Sequence, residues 1–250
     1  MNDFITLVEV MVLLIIAAYA CYALWDNHQV YQETENVQQD MKRLKPVEDE
    51  KSQPSFEELL KVNNDVCAWI TMDNTGIDYP VLQGRDNMDY INTDVYGKFS
   101  LAGSIFLDTR CHKDFLDSYS LLYGHHMTNH LMFGDLDLYK EKEFFDENRT
   151  GTLITQEEIY ELKTVACLLV SASEDRIFEP NLWEGRLDSL AEYIREDALH
   201  YAENELLYIE QKMLEYNQGE IDVKPRVVAL STCASDFTDA RTILITMIQE

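Results

Sequence analysis

Apolar and polar positions divide the 250-residue chain into an apolar start, a polar connector and a long mixed body. Residues 4–25, from Phe4 to Trp25, carry a single charge, Glu9. At ~1.5 Å rise per residue, a helix of that length crosses a hydrocarbon layer of about 30 Å. A signal peptide would need a basic leader and a small-residue cleavage site. The chain instead opens Met-Asn-Asp and leaves the apolar run through Tyr22-Ala-Leu-Trp-Asp26. The expectation is an uncleaved single-pass membrane anchor over residues 1–25, with Tyr22 and Trp25 in the interfacial belt. Charge encodes its orientation poorly: Lys42 and Arg43 follow the helix, and by the positive-inside rule they would turn the body inward.

Residues 26–53 are polar and contain no glycine. Val30, Val37, Met41 and Leu44 recur at helical spacing, so this connector reads either as a weakly amphipathic stalk helix or as a solvated tether. The body, 54–250, opens with Pro54 and Ser55-Phe-Glu-Glu58, the pattern of a capping box for a short helix ending near Asn63. Strand signals then dominate: 68–72 and 77–82 around the turn Asp73-Asn-Thr-Gly76, then 104–107, 118–123, 151–155, 159–172, 226–230 and 242–248. A short helical patch falls at 132–139. From 187 to 216 apolar residues recur every three or four positions, predicting one long or two shorter amphipathic helices whose acidic face meets solvent. Eight short strands with few β-α-β alternations predict a mainly β, mainly antiparallel barrel or sandwich carrying one helical excursion.

Composition narrows the functions. With 46% hydrophobic residues the chain is a folding sequence. Asp and Glu number 46 against 20 Lys and Arg, a net charge of −26 that repels phosphate backbones and argues against a nucleic-acid partner. Five cysteines (21, 67, 111, 167 and 233) with no CxxC pair make neither a zinc ribbon nor a disulfide scaffold. Cys67 and Cys167 sit in strand-like text and read as small core hydrophobes.

Three places carry candidate chemistry. Val227-Val-Ala-Leu-Ser-Thr-Cys233 ends an apolar strand at a polar loop, where a thiol is held firmly yet half exposed. Leu121-Leu-Tyr-Gly-His-His126 ends another strand in two histidines, and an imidazole beside a thiolate lowers its pKa and can protonate a leaving amine. His125, His126 and His130 could instead ligate a metal, but no acidic partners at suitable spacing are evident, so no metal or cofactor is expected. His28, His112 and His200 read as surface residues, the last on a helix. Arg241 opens the final strand, and an antiparallel return through 234–240 would set its guanidinium beside Cys233, where acyl transfer develops an oxyanion.

Leu230-Ser-Thr-Cys233, Arg241 eight positions later and Tyr123-Gly-His125 upstream together resemble the sortase family. Trp69-Ile70, Gly76-Ile-Asp-Tyr-Pro-Val81, Gly103-Ser-Ile-Phe-Leu-Asp108, Met132-Phe-Gly-Asp-Leu136 and the long helical insertion are similar to class B sortases in particular, over roughly residues 55–250. The resemblance implies an eight-stranded sortase-type β-barrel with N-terminal helices and a helical insertion before the Cys-bearing strand. It also implies a membrane-anchored transpeptidase on the extracellular face of Gram-positive bacteria, against the weak hint from charge. Carried over by position, Cys233 is the nucleophile, His125 the general acid/base and Arg241 the oxyanion- or substrate-orienting cation. Thr232, Asp236, Asp239 and His126 are supporting candidates, His126 standing where relatives often have Asn. The implied partners are sorting-signal peptides of secreted proteins and an acceptor amine from peptidoglycan precursor or from a pilin. Two further readings stay open: a membrane-tethered binding domain with an inert thiol, and a plain cysteine peptidase.

Overall fold

The structure, a computed structural model, describes residues 2–46, 56–232 and 240–249. One helix, α1 (Asn2–Lys42), takes in both the apolar run and most of the connector. It is long and apolar enough to cross a membrane, and its apolar window has no residue buried against the rest of the chain. From Val30 onward one face is covered: Thr34, Gln38 and Met41 are buried, and Val30, Tyr31 and Val37 partly so. The spacing of these positions is that of a helix face, and over residues 26–42 the connector is helical; residues 47–53 lie outside the described residues. Its end is locked by Asp78, whose carboxylate accepts from Lys45 Nζ (2.8 Å), Trp69 Nε1 (2.7 Å) and Thr71 (3.1 Å).

The body continues with α2 (Glu57–Val62), β1 (Val66–Met72), β2 (Asp78–Leu82), β3 (Ile105–Leu107) and β4 (Tyr119–Gly124). A 3-10 helix at Gly134–Lys140 and α3 (Lys142–Glu147) lead to β5 (Thr150–Thr155) and the long β6 (Ile159–Ser171). After α4 (Asp175–Phe178) and a 3-10 turn at Pro180–Trp183 come α5 (Leu187–Asp197), β7 (His200–Tyr201), α6 (Glu203–Asn217), β8 (Val227–Thr232) and β9 (Ala240–Gln249). The expected capping residue Ser55 lies outside the described residues; the N-cap position of α2 is Phe56, with no side-chain cap.

The sheet runs β5-β1-β2-β3-β4-β8-β9-β6 and closes because β6 also pairs with β5. This is an eight-stranded barrel, antiparallel except for the pairs β2–β3 and β4–β8. Its closure rests on the length of β6, which pairs β5 through Ile159–Lys163 and β9 along nearly its whole length. The predicted 187–216 helical stretch is two helices separated by the two-residue strand β7, which pairs with Ala166 and Cys167 of β6. His200 is therefore not on a helix face: it lies half-buried on β7, its Nε2 donating to the Lys140 carbonyl at 2.7 Å beside Phe145. The acidic face is largely exposed, as expected, but Glu203 and Glu210 clamp Arg195, which ties α5 to α6.

Strand interiors alternate little because the barrel is covered on both faces: all six residues of β8 are buried. One core cluster fills the barrel and runs under α5 and α6; a second, with Met41, Leu59, Trp69 and Phe106, lies beneath α1 and α2.

Candidate functional site

The parallel pairing of β4 with β8 runs from Tyr119↔Val227 to Gly124↔Thr232, so the two strands end side by side. The residue after Gly124 is His125, and the residue after Thr232 is Cys233. On the other flank β9 returns antiparallel, bringing Arg241 to the same end of the barrel. Arg241 Nη1 donates to the carbonyl of Thr232 (3.3 Å), and the buried Thr232 hydroxyl accepts from the Thr242 amide (3.2 Å). The distant strand β4 and the consecutive strands β8 and β9 thus deliver the Gly124–His125 step, Thr232 and Arg241 to one corner. Cys233, Asp236 and Asp239 lie outside the described residues.

Gly124 is required by close packing. A Cβ there would sit 2.4 Å from Ile105 Cδ1 and 2.7 Å from the Phe133 ring. The neighbouring His125 is half-buried. Its Nε2 lies 2.8 Å from the Ile91 carbonyl, and its own carbonyl accepts from the Phe133 amide at 3.0 Å. A carbonyl can only accept, so Nε2 carries the proton and Nδ1 is the basic nitrogen of the neutral ring.

His126 is engaged differently. Its Nε2 donates to Asp137 Oδ2 at 2.9 Å, while Asp137 Oδ1 accepts from the Thr242 hydroxyl (2.8 Å) and Lys140 Nζ (2.6 Å). Partial burial pushes the Asp137 pKa up, but these donors outweigh it and hold the carboxyl well below the usual carboxylate range. His130 is exposed and its Nδ1 contacts the buried Asp135 carboxylate, which also accepts the Gly76 amide (2.7 Å). Both histidines therefore have acidic partners, contrary to the sequence expectation. Those partners stand on the 3-10 helix, whose turn geometry the spacing of the histidines did not reveal. Among the described residues no group of three or more His, Cys, Asp or Glu is placed to hold a metal ion.

Behind β4, Tyr123 donates its hydroxyl to the buried Asp108 (3.0 Å) and stacks on Phe178 of the insertion. Cys67, Cys111 and Cys167 are buried, and burial pushes each thiol up to about 12, so these three stay protonated at neutral pH. Cys21 is exposed on the apolar half of α1. Sequence reasoning did not find Asp137 and Thr242. An acidic residue three positions past the Met132-Phe-Gly134 segment and a threonine next to Arg241 were the available signals.

No family model matches the chain. Sortase B of Staphylococcus aureus is 28% identical over 244 residues, covering 96% of this chain and 93% of that protein. A crystal structure of a Streptococcus pyogenes class B sortase involved in pilus biogenesis is 35% identical, covers 78% of this chain and 98% of the other, and superposes with a TM-score of 0.64. Sortase B of Bacillus anthracis, solved in complex with AAEK1, is 25% identical over 89% of this chain and 99% of the other, with a TM-score of 0.68.

Proposed function

Since the chain belongs to the class B sortases, which are cysteine transpeptidases, we propose that Cys233, His125 and Arg241 carry that reaction here. The Cys233 thiolate attacks the scissile carbonyl of a sorting signal near the C-terminus of a secreted protein. Attack forms the carbon–sulfur bond and a tetrahedral oxyanion; its collapse breaks the carbon–nitrogen bond, and His125, holding on Nδ1 the proton it took from the Cys233 thiol, delivers that proton to the departing amine. The thioester is then resolved by an acceptor amine, which His125 deprotonates in turn. Arg241 supplies fixed donors for the developing oxyanion; its bond to the carbonyl of Thr232, the chain neighbour of Cys233, supports that role. The observation that carries this reading is the register Gly124↔Thr232 with Arg241 on the Thr232 carbonyl. Membership in an enzyme family sets aside the inert-thiol and plain-peptidase readings.

The same proposal puts residues 1–25, which take in the apolar half of α1, in the cell membrane as a single-pass anchor, residues 26–53 as the stalk, and the catalytic domain over 54–250 on the extracellular face. The acceptor is the amine of a peptidoglycan precursor. A pilin lysine is the second reading, supported by the 35% identity to a class B sortase whose function is in pilus biogenesis.

The test is to trap and identify by mass spectrometry the peptides bound to the Cys233 sulfur, then to supply the loaded enzyme with wall-precursor amine or with purified pilin. Transfer to the precursor is expected, and covalent pilin ladders would favour the second reading. Cys233→Ala should abolish thioester formation. His125→Ala should lose far more turnover than His126→Ala, and equal losses would overturn the assignment of His125.

A further inference from the structure

The corner that gathers the three strand ends is fastened by a carboxylate that no comparison of motifs singles out. Asp137 stands on the 3-10 helix Gly134–Lys140. One oxygen, Oδ2, accepts from His126 Nε2 at 2.9 Å. The other, Oδ1, accepts from the Thr242 hydroxyl at 2.8 Å and lies 2.6 Å from Lys140 Nζ. His126 is the chain neighbour of His125, and Thr242 is the chain neighbour of Arg241. Each oxygen therefore grips the residue beside one proposed catalytic side chain. The Thr242 amide in turn donates to the Thr232 hydroxyl, one residue before Cys233. A single carboxylate thus links the segment after β4, the start of β9 and the end of β8.

We propose that Asp137 is a positioning residue of the transpeptidase: it fixes His125 and Arg241 in mutual register beside Thr232 without itself touching substrate. This inference rests on the functional reading above. Three donors converge on Asp137, and a carboxylate is the side chain that accepts from all of them. An asparagine has one acceptor oxygen and turns an NH2 toward at least one of those donors. The catalytic groups each lie one residue from the clamp, so loosening it shifts the reacting geometry. Misplacement of about 1 Å costs on the order of a hundredfold in rate.

The experiment uses the full chain in detergent micelles, with the sorting peptide recovered from the Cys233 sulfur as substrate. Thioester formation, kcat and KM are measured for wild type, Asp137→Asn, Asp137→Glu, Thr242→Val and the double variant Asp137→Asn/Thr242→Val. Asp137→Asn is expected to lower kcat by about 10- to 100-fold with KM within about threefold. Asp137→Glu should restore part of the loss. The double variant should be little worse than the poorer single one, because both break the same clamp. A kcat for Asp137→Asn within twofold of wild type, or losses that multiply in the double variant, would overturn the positioning role while leaving the functional reading intact. A wild type that forms no thioester would overturn the functional reading, and the positioning role with it.

Discussion

Asp108 is the most heavily bonded carboxylate near the site, and replacing it with alanine has a calculable cost. Its side chain is fully buried. Oδ1 accepts from the Arg110 amide and Nε, both at 2.9 Å; Oδ2 accepts from Arg110 Nη2 (2.8 Å), Asn87 Nδ2 (2.9 Å) and the Tyr123 hydroxyl (3.0 Å). Asp108→Ala takes the charged acceptor from the half-buried Asn87 amide and Tyr123 hydroxyl, at roughly 1.5–3 kcal/mol for each hydrogen bond to a charged group. Arg110 is 36% exposed and keeps Glu179 at 2.9 Å, so much of its loss is recovered by water and by that second partner. The total comes to about 3–5 kcal/mol, a large part of the roughly 5–15 kcal/mol that holds a domain together. In a domain of this size that is a fall in Tm of roughly 6–20 °C. Urea unfolding followed by tryptophan fluorescence, on the full chain in micelles, should show a lower midpoint at unchanged slope. The pH dependence has a definite sign. Burial pushes the Asp108 pKa up, but the Arg110 contacts and the other donors outweigh it and hold the carboxyl below its ordinary value. A depressed folded pKa stabilises above the unfolded value of about 3.9, and that stabilisation is lost as pH falls through the folded pKa. The gap between wild type and Asp108→Ala should be constant from neutral pH to about pH 5 and should narrow below it. A gap under about 1 kcal/mol, or one that does not narrow in acid, would refute the reasoning.

Two further outcomes are expected. Arg241→Lys should cut kcat by about 100- to 1,000-fold, the usual cost of losing an oxyanion donor, because an ammonium, whose donors radiate from one nitrogen, cannot reproduce the planar fork that holds the Thr232 carbonyl with one nitrogen and presents another; near-normal turnover in single-turnover assays would remove Arg241 from the site. Met41→Ala should cost about 2–5 kcal/mol in urea unfolding, since Met41 is 2% exposed on the covered face of the stalk helix; a cost below about 0.5 kcal/mol would mean the stalk is not docked in solution.

The readable parts of the fold were those whose physics is local. Strands show as runs of apolar and β-branched residues, and the 187–216 periodicity marks α5 and α6 because both lay one apolar stripe on the barrel. The two-residue β7 between them was invisible: its pairing is decided by β6, some thirty positions upstream, and not by its own residues. The stalk was ambiguous for a related reason. Val30, Val37 and Met41 make a thin stripe, and what decides between helix and tether is the groove they meet, lined by Tyr79, Leu82 and Val95. At the site, the strand-end motifs with Gly124 and Thr232 were legible. The barrel register that aligns them was reached only through family resemblance, because parallel pairing between strands about a hundred residues apart leaves no local mark. Asp137 shows the limit most clearly: its role depends on three donors delivered by three elements, and nothing in Gly134-Asp-Leu-Asp137 distinguishes it from Asp135, which turns to Gly76 and His130 instead.

The continuity of α1 changes what the stalk does. A flexible connector of seventeen residues would have a root-mean-square reach of about 5–6 Å × √17, roughly 20–25 Å, with every shorter distance also sampled. The helix from Trp25 to Lys42 spans a comparable length, about 25 Å at ~1.5 Å per residue, but at fixed extension. Its second half is also tied to the barrel through Gln38 Nε2 on the Gly76 carbonyl (2.8 Å) and through the Thr128 hydroxyl on Tyr31 (3.0 Å). Thr128 lies three residues past His125, and Gly76 shares Asp135 with His130, so the stalk is fastened to the loop that leaves the strand-end corner. With residues 1–25 in a bilayer, this arrangement would fix the height and tilt of that corner above the membrane. It would confine the search for substrates to those presented at that height.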